Sequence, residues 1–188
     1  MSGKLAGILA IIAVIAIVVP VLVAQHLYPN YSLANNYISD LGVGSTAPIF
    51  NTAIVVSGLL LLASSYFMVR ARHAYIALAF ALTGIGSMGV GLFPETTGIY
   101  HVVSAIITFS TIAIAALLFY RVYRKPLVYY SIAAGLLGIV VMVLFSINLT
   151  SGIAINFGLG KGGVEEILFY NEILWTLIVG INLVTKRL

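Results

Sequence analysis

Six long apolar runs, separated by polar segments, dominate the chain. The apolar runs cover residues 5–26, 48–69, 73–93, 99–120, 127–149 and 165–185. Each run is long enough for a helix to cross a bilayer, which takes about 20 residues. The pattern therefore predicts an all-α protein, an integral membrane bundle of six transmembrane helices that forms a single domain over residues 1–188.

The composition excludes a soluble protein. Of the 188 residues, 62% are hydrophobic and 7% are charged, and the mean hydropathy is +1.15, whereas a soluble domain carries charge on about a quarter of its residues. The first apolar run is too long for a signal peptide and no A-x-A-like cleavage site follows it, so we predict that it is retained as a span. The chain has no cysteine, which excludes disulfides, thiolate metal sites and cysteine nucleophiles.

Charged residues are sorted by side of the predicted membrane. With both termini in the cytoplasm, eight of the nine basic residues lie on the cytoplasmic side: Lys4, Arg70, Arg72, Arg121, Arg124, Lys125, Lys186 and Arg187. Only Lys161 lies outside. All five carboxylates take the outer side: Asp40, Glu95, Glu165, Glu166 and Glu172. The basic bias predicts a multi-pass cell-membrane protein with cytoplasmic N- and C-termini. Acidic residues are hardly governed by that rule, so their position indicates a function on the outer side.

Histidines and hydroxyl groups at the outer ends of the spans are candidates for a site. His26 closes the first span. The fourth span begins IYHVVSAIITF, in which His101, Ser104 and Thr108 lie on one helix face because they are three and seven residues apart. Serine and threonine in helices also bond the carbonyl four residues before them. With His101 at its head, we expect this polar stripe to face the interior of the bundle.

The sixth span carries a carboxylate inside the membrane. If the helix starts near Val164, Glu172 lies about 12 Å along it, beside Asn171. A charge at that depth costs about 2.5–3.5 kcal/mol, so both residues are candidates for ligand binding. Glu165 and Glu166 stand at the predicted helix start, where the helix dipole favours acids, and we predict no special role for them. The preceding GLGKGG lacks the full phosphate-loop pattern and is predicted to be a flexible turn.

Glycines in the third span predict close helix packing. Within TGIGSMGVGLFPE, Gly84, Ser87 and Gly91 share one helix face, while Gly86 and Gly89 lie on the opposite face. Small residues at this spacing let helix backbones approach closely. We therefore expect both faces of the third span to contact a neighbouring helix.

Short motifs carry a resemblance to known families. YISDLG after the first span, GLFPE at the end of the third and the following His101 resemble a family of uncharacterised six-span membrane proteins, domain of unknown function 998, over most of the chain. YISD also resembles, more weakly, the PYISDTG motif of six-span Frag1/DRAM/Sfk1-type proteins, which are linked to lipid and membrane organisation. Here Asn36 stands for the proline and Leu41 for the threonine. The resemblance implies family-pattern positions at Ser39, Asp40, Pro94, Glu95 and His101. Neither family implies an established reaction.

Binding is the first of three functions that fit these residues. The protein would bind or organise lipid headgroups, or a membrane-protein partner, at an outer-facing site of carboxylates and histidine. The ligand-binding residues would be Asp40, Glu95, His101, Asn171 and Glu172. Because the basic residues follow membrane topology, they do not indicate a nucleic-acid partner.

Two further hypotheses remain open. One is a membrane-embedded, metal-dependent hydrolase or transferase at the outer leaflet. Its candidate catalytic residues are Ser39, Asp40, His101 and Ser104, and a divalent metal such as Zn²⁺ would be held by His26, Asp40, His101 and Glu172. The other is a b-type haem protein with His26 and His101 as ligands. The histidines and acids form no H-x-x-x-H or H-E-x-x-H pair, so the sequence leaves enzymatic activity open.

Overall fold

The structure is a computed structural model that describes residues 1–119, 125–151 and 155–185. It consists of helices α1 (Ser2–Leu27), α2 (Ala47–Arg70), α3 (Ala74–Leu92), α4 (Ile99–Leu118), α5 (Leu127–Ser151) and α6 (Gly160–Thr185). All six are long and apolar enough to cross a membrane, and these residues include no strand. The predicted all-α bundle of six spans is therefore confirmed. Arg121, Arg124, Lys186 and Arg187 lie outside the described residues.

The six helices form a closed ring. Each helix packs against the next along the chain, and α6 packs back against α1. Successive helices alternate in direction, as the hydrogen bonds from Ser57 to Ala13 and from Ser64 to Ala6 show for α1 and α2, and the bundle therefore has two distinct ends. The acidic end holds the α1–α2 and α3–α4 connections, the end of α5 and the start of α6. The basic end holds the α2–α3 connection, the starts of α1 and α5, and the ends of α4 and α6. All five carboxylates lie at the acidic end or in the half of α6 next to it, and Lys4, Arg70, Arg72 and Lys125 lie at the basic end. Which end faces the cytoplasm stays a prediction.

Glycines bring α3 close to both of its neighbours. A Cβ atom added to Gly84 would lie 2.6 Å from the carbonyl oxygen of Gly58 in α2. On the other side of α3, the same addition to Gly86 would meet the Thr108 hydroxyl of α4 at 2.5 Å. Only glycine permits these approaches, and they confirm the two packing faces predicted for the third span.

Aromatic side chains fill the basic half of the ring. Trp175 is 1% exposed and packs between the rings of Phe80 and Phe119, at centroid distances of 6.3 and 5.2 Å. Its indole N–H donates to the Ser131 hydroxyl (2.7 Å), which donates in turn to the carbonyl of Ala116 (3.0 Å). These contacts satisfy every polar group that the indole buries. Aromatic packing therefore fills the interior around Trp175.

The start of α6 corrects one prediction. The sequence GLGKGG is a turn only at Gly158 and Leu159, because α6 begins at Gly160, five residues before the predicted span. Gly160 has a φ of +77°, a conformation that favours glycine. The N–H of Gly162 donates to the carbonyl of Ala34 (3.1 Å), and a Cβ atom at Gly162 would collide with the carbonyl of Asn36. These glycines let the α1–α2 connection lie directly against α6.

Candidate functional site

The YISDLG segment closes the acidic end of the ring as a plug. Ile38 and Leu41 are 3% and 0% exposed and pack into the apolar cluster that includes Val21 and Phe50. Residues Ser39–Gly42 form a short 3-10 turn, which separates these apolar side chains from Asp40. Burial of Ile38 and Leu41 therefore anchors the segment. Its polar side chains do not take part in this apolar packing and can contribute to a site.

Asp40 holds the plug in shape. Its Oδ2 accepts hydrogen bonds from Asn36 Nδ2 (2.9 Å) and from the backbone N–H of Tyr37 (3.2 Å). An aspartate that bonds neighbouring backbone in this way stabilises a turn. The Tyr37 ring also lies 4.5 Å from Lys161 Nζ, which links the plug to the start of α6. Asp40 is half-buried and stands at the mouth of the site rather than inside it.

Beneath the plug lies a cavity of about 80 Å³, called here the central cavity. Residues of α1, α2, α3, α4 and α6 line it, together with Ile38 and Ser39 of the plug. Most of the lining is apolar. Its polar lining residues are Ser39, Ser57, Thr83, Ser87, His101, Thr108, Glu165, Glu172 and Thr176. The cavity thus combines an apolar wall with a few polar groups, which is the usual composition of a ligand site.

Glu165 joins α6 to the plug at the top of the central cavity. Its side chain is 5% exposed, and its Oε2 accepts a hydrogen bond from the backbone N–H of Ile38 (2.5 Å). That bond connects residues 127 positions apart in the chain. A buried carboxylate needs such donors, because an unpaired charge in an apolar interior is costly. Glu165 belongs to the site, although the sequence suggested no role for it; its seven-residue spacing from Glu172 was the available signal.

His101 stands opposite, at the start of α4. It is 7% exposed, and its Nδ1 lies 2.8 Å from the carbonyl oxygen of Phe93. A carbonyl only accepts hydrogen bonds, so Nδ1 carries a proton. When the ring is neutral, Nε2 is then an acceptor. Gly98, with a φ of +62°, makes the turn that starts α4 and brings the ring under the plug.

A second cavity of about 240 Å³, called here the side cleft, extends from the same residues. It shares Ser39, His101, Ala105 and Glu165 with the central cavity. Its remaining wall includes Val102 and Ile106 of α4 and Phe145 of α5, and Ile106 is 42% exposed. In the basic half, Gly135 and Gly138 bring α5 against Ala113 and Leu117 of α4. The side cleft therefore lies where α4 and α5 separate from each other, in the half of the bundle nearer the acidic end.

Asp40 and Glu95 form a carboxyl pair at the mouth of the site. Burial and then the hydrogen bond and charge of Asp40 raise the pKa of Glu95 to about 7, while the charge of Lys161 acts in the opposite direction. Glu95 therefore holds its proton to a higher pH than an ordinary glutamate does, because a carboxylate beside another acid is harder to ionise. Burial and the acids Glu165, Glu95 and Asp40 likewise raise the pKa of Tyr37.

Three predicted site residues lie elsewhere. The hydroxyl of Ser104 donates to the carbonyl of Tyr100 (2.7 Å), and this side chain packs where Gly89 lacks one. Asn171 donates to the carbonyl of Ala134 (2.9 Å) and thereby ties α6 to α5. His26 is exposed to the surroundings of the bundle. None of the three is among the residues lining the central cavity or the side cleft.

Glu166 lies beside the site but does not line it. Its Oε1 accepts hydrogen bonds from Gln25 Nε2 (2.7 Å) and from the Tyr31 hydroxyl (3.1 Å). This network connects the end of α1 and the α1–α2 connection to α6. Glu166 therefore has a packing role, as the sequence suggested, whereas its neighbour Glu165 faces the cavities.

The described residues offer no preformed metal site. Within residues 1–119, 125–151 and 155–185, no three His, Asp or Glu side chains lie close enough to hold an ion together. The set His26, Asp40, His101 and Glu172 is accordingly not brought together. His101 lines the interior while His26 is exposed, so these two histidines do not converge as haem ligands.

Comparison with known proteins gives one match. Residues 11–182 match the family described as "Protein of unknown function (DUF998)", in agreement with the resemblance of the YISDLG and GLFPE motifs. No curated protein and no solved structure matches the chain. The weaker resemblance to Frag1/DRAM/Sfk1-type proteins has no such match and stays a prediction.

Proposed function

The chain belongs to the DUF998 family of proteins of unknown function, and we propose that it binds a membrane lipid by its head. The head enters the central cavity through the side cleft, and the acyl or prenyl tail stays among the lipid-facing side chains of α4 and α5. The observation that carries this proposal is the continuity of the central cavity, an apolar cavity with a few polar groups, with a cleft between two membrane-spanning helices. The two share Ser39, His101, Ala105 and Glu165.

The wall of the side cleft suits an apolar tail. Val102, Ile106 and Phe145 line it, and the neighbouring Val103 is 47% exposed on the same helix. The exposed apolar surface of a membrane-spanning helix contacts the bilayer. A lipid can therefore enter the cleft directly from the bilayer, without passing through water. If the acidic end faces outwards, as the basic residues predict, the lipid comes from the outer leaflet.

The lining of the central cavity selects the head. Glu165, Glu172, the acceptor nitrogen of His101 and several hydroxyls offer hydrogen-bond acceptors, and no Lys or Arg of the described residues lines the cavity. An anionic phosphate would find no cation there to pair with, and burying an unpaired charge in an apolar interior is costly. At about 80 Å³ the cavity is also well below the 300–1,000 Å³ of ordinary ligand pockets. The head is therefore small, free of phosphate, and a donor of hydrogen bonds.

Lipid retained by the purified protein tests this proposal. The protein is extracted in mild detergent from its membranes, and native mass spectrometry identifies what stays bound. We expect a lipid with an alcohol or amine head on the unmodified protein and on Glu166→Gln, whose side chain lies outside both cavities. Glu165→Gln and Ala105→Phe should lose it, the first by removing an acceptor and the second by filling the passage. Retention by Ala105→Phe, or only phospholipids on the unmodified protein, would contradict the proposal.

An enzymatic role is the second candidate, and the geometry of His101 favours it. Ser39 and His101 line the same two cavities, and Nε2 of His101 is the acceptor that a general base needs. In an ester hydrolase, Ser39 Oγ would attack the ester carbonyl while His101 takes its proton and returns it to the departing alcohol. Water would then release the acid from Ser39. Turnover of a lipid ester in nanodiscs, lost in Ser39→Ala, would support this role, and unchanged ester would oppose it.

A further inference from the structure

Glu172 is a carboxyl group near the middle of the bundle without a complete set of partners. Its side chain is 5% exposed and lines the central cavity. Its Oε1 is fully buried and accepts no hydrogen bond from any residue that the structure describes. Since α6 begins at Gly160, Glu172 lies about 18 Å along that helix. An acid at this depth is costly, and a polar atom left unpaired there adds to the cost.

The elements around the central cavity provide no cation for Glu172. Helices α1, α2 and α3 contribute no titratable side chain to the lining. Helix α4 contributes His101, whose Nδ1 is engaged with Phe93, and α6 contributes Glu165. The plug contributes Ile38 and Ser39. The lining therefore carries two carboxyl groups and one imidazole, and a Lys- or Arg-like cation that pairs with Glu172 must come from outside these residues.

The two carboxyl groups of the cavity are not equivalent. Glu165 and Glu172 lie seven residues apart, about 10 Å along α6, and line the same cavity. Glu165 already receives a hydrogen bond from the backbone N–H of Ile38. Glu172 has an oxygen with no donor at all. A ligand that enters from the side cleft passes Glu165 first and reaches the unpaired acceptor at the inner end of the cavity.

We infer that Glu172 receives an ammonium group, so that the lipid bound by this protein is a long-chain amine. The inference rests on the proposed function and names the chemistry of its ligand. An ammonium group supplies the missing donor and a compensating charge together, and a charge-assisted hydrogen bond is about twice as strong as a neutral one. An alcohol supplies the donor without the charge. The slender, unbranched end of a primary amine also suits a cavity of about 80 Å³.

Binding of two matched probes tests the inference. Radiolabelled dodecylamine and dodecanol differ only in their heads, and their binding to the full-length protein in nanodiscs is counted above that of empty nanodiscs. We expect the unmodified protein to bind dodecylamine at least tenfold more tightly than dodecanol. Glu172→Gln keeps the shape of the side chain. It should weaken the affinity for dodecylamine at least tenfold and change the affinity for dodecanol by less than twofold. The control Glu166→Gln should change neither affinity.

The outcomes separate this inference from the proposed function. Equal affinities for the two probes, or an amine preference that survives in Glu172→Gln, would overturn the assignment to Glu172 and leave a lipid site in place. Binding of neither probe would overturn the proposed function and the inference together.

A second measurement needs no variant. Dicyclohexylcarbodiimide modifies carboxyl groups in apolar surroundings, and peptide mass spectrometry locates the modified residue. We expect dodecylamine to protect Glu172 from modification, and dodecanol at the same concentration to protect it much less. Glu166, which lies outside the cavities, should be modified equally with and without the amine. Equal protection of Glu172 by both probes, or by neither, would contradict the inference.

Discussion

The carboxyl pair Asp40 and Glu95 makes the closure of the acidic end dependent on pH. Burial and Asp40 raise the pKa of Glu95 from 4.5 to about 7. The folded protein thus holds this proton more tightly than the unfolded chain does. For an acid whose pKa is raised on folding, the free energy of unfolding falls as pH rises from about 4.5 to about 7 and is level on either side. Glu95→Gln removes the titratable carboxyl group, but the amide NH₂ of glutamine can still donate a hydrogen bond to Asp40.

The magnitude follows from the size of the pKa change. At 1.36 kcal/mol per pKa unit, a change from 4.5 to about 7 corresponds to about 3.4 kcal/mol. Glu95 is only half-buried, so solvent screens its interaction with Asp40, and we expect about 1–2 kcal/mol. For a protein of this size, 1 kcal/mol moves Tm by about 2–4 °C. Glu95→Gln should therefore melt about 2–8 °C above the unmodified protein at pH 8, and at nearly the same temperature at pH 4.

Thermal unfolding in detergent at several pH values checks this prediction. The other buried acids also titrate, so the informative quantity is the difference in Tm between the unmodified protein and Glu95→Gln at each pH. Glu166→Gln serves as the control, because Glu166 lies outside this pair. Lys161→Met should deepen the loss of stability above pH 7, since Lys161 lowers the pKa of Glu95. Parallel pH profiles for the unmodified protein and Glu95→Gln would refute the argument.

Three further predictions concern the fold and its orientation. Gly84→Ala should lower the free energy of unfolding by about 1–3 kcal/mol, because its Cβ would lie 2.6 Å from a carbonyl oxygen of α2. Chemical denaturation measures this loss. Gly3→Ala is the control, because its Cβ would lie 3.6 Å from its nearest contact. Ser45→Cys should react with a membrane-impermeant maleimide on intact cells, and labelling only after permeabilisation would reverse the predicted orientation. Trp175→Phe should lose about 1–2 kcal/mol, measured by the same denaturation, because the hydrogen bond to Ser131 is removed.

The fold was largely predictable from the sequence, because bilayer thickness constrains the length of every apolar run. The first five helices differ from the predicted spans by at most three residues at either end. The exception is the start of α6. Glycine has a low helix propensity, so GLGKGG suggested a turn. The helix nevertheless begins at Gly160, because Gly160 and Gly162 allow the backbone of residues 33–36 to lie against it. A contact across more than 120 residues decided this boundary, and no local signal reports it.

The unexpected start of α6 also explains why the prediction for Glu165 was wrong. An acid at a helix start is stabilised by the dipole and needs no further role. With α6 extended by a full turn and covered by the plug, Glu165 is buried instead, and it bonds the backbone N–H of Ile38. Glu172 was recognised because intramembrane depth depends only on its distance from the polar segments. The partners of Ser104 and Asn171 could not be foreseen, because hydrogen bonds to backbone carbonyls leave no pattern in the sequence.

The two halves of the bundle differ in how their interiors are filled, and that difference supports a function at the acidic end. In the basic half, Trp175 and its aromatic neighbours fill the interior and every polar group of the indole has a partner. In the acidic half, the ring encloses empty space and leaves Oε1 of Glu172 unpaired among the described residues. Leucine at position 172 would remove the buried acid and its unpaired oxygen, whose burial is costly. A carboxyl group with an unpaired buried oxygen, held against a cavity that is continuous with a cleft between two spans, is what a binding site requires.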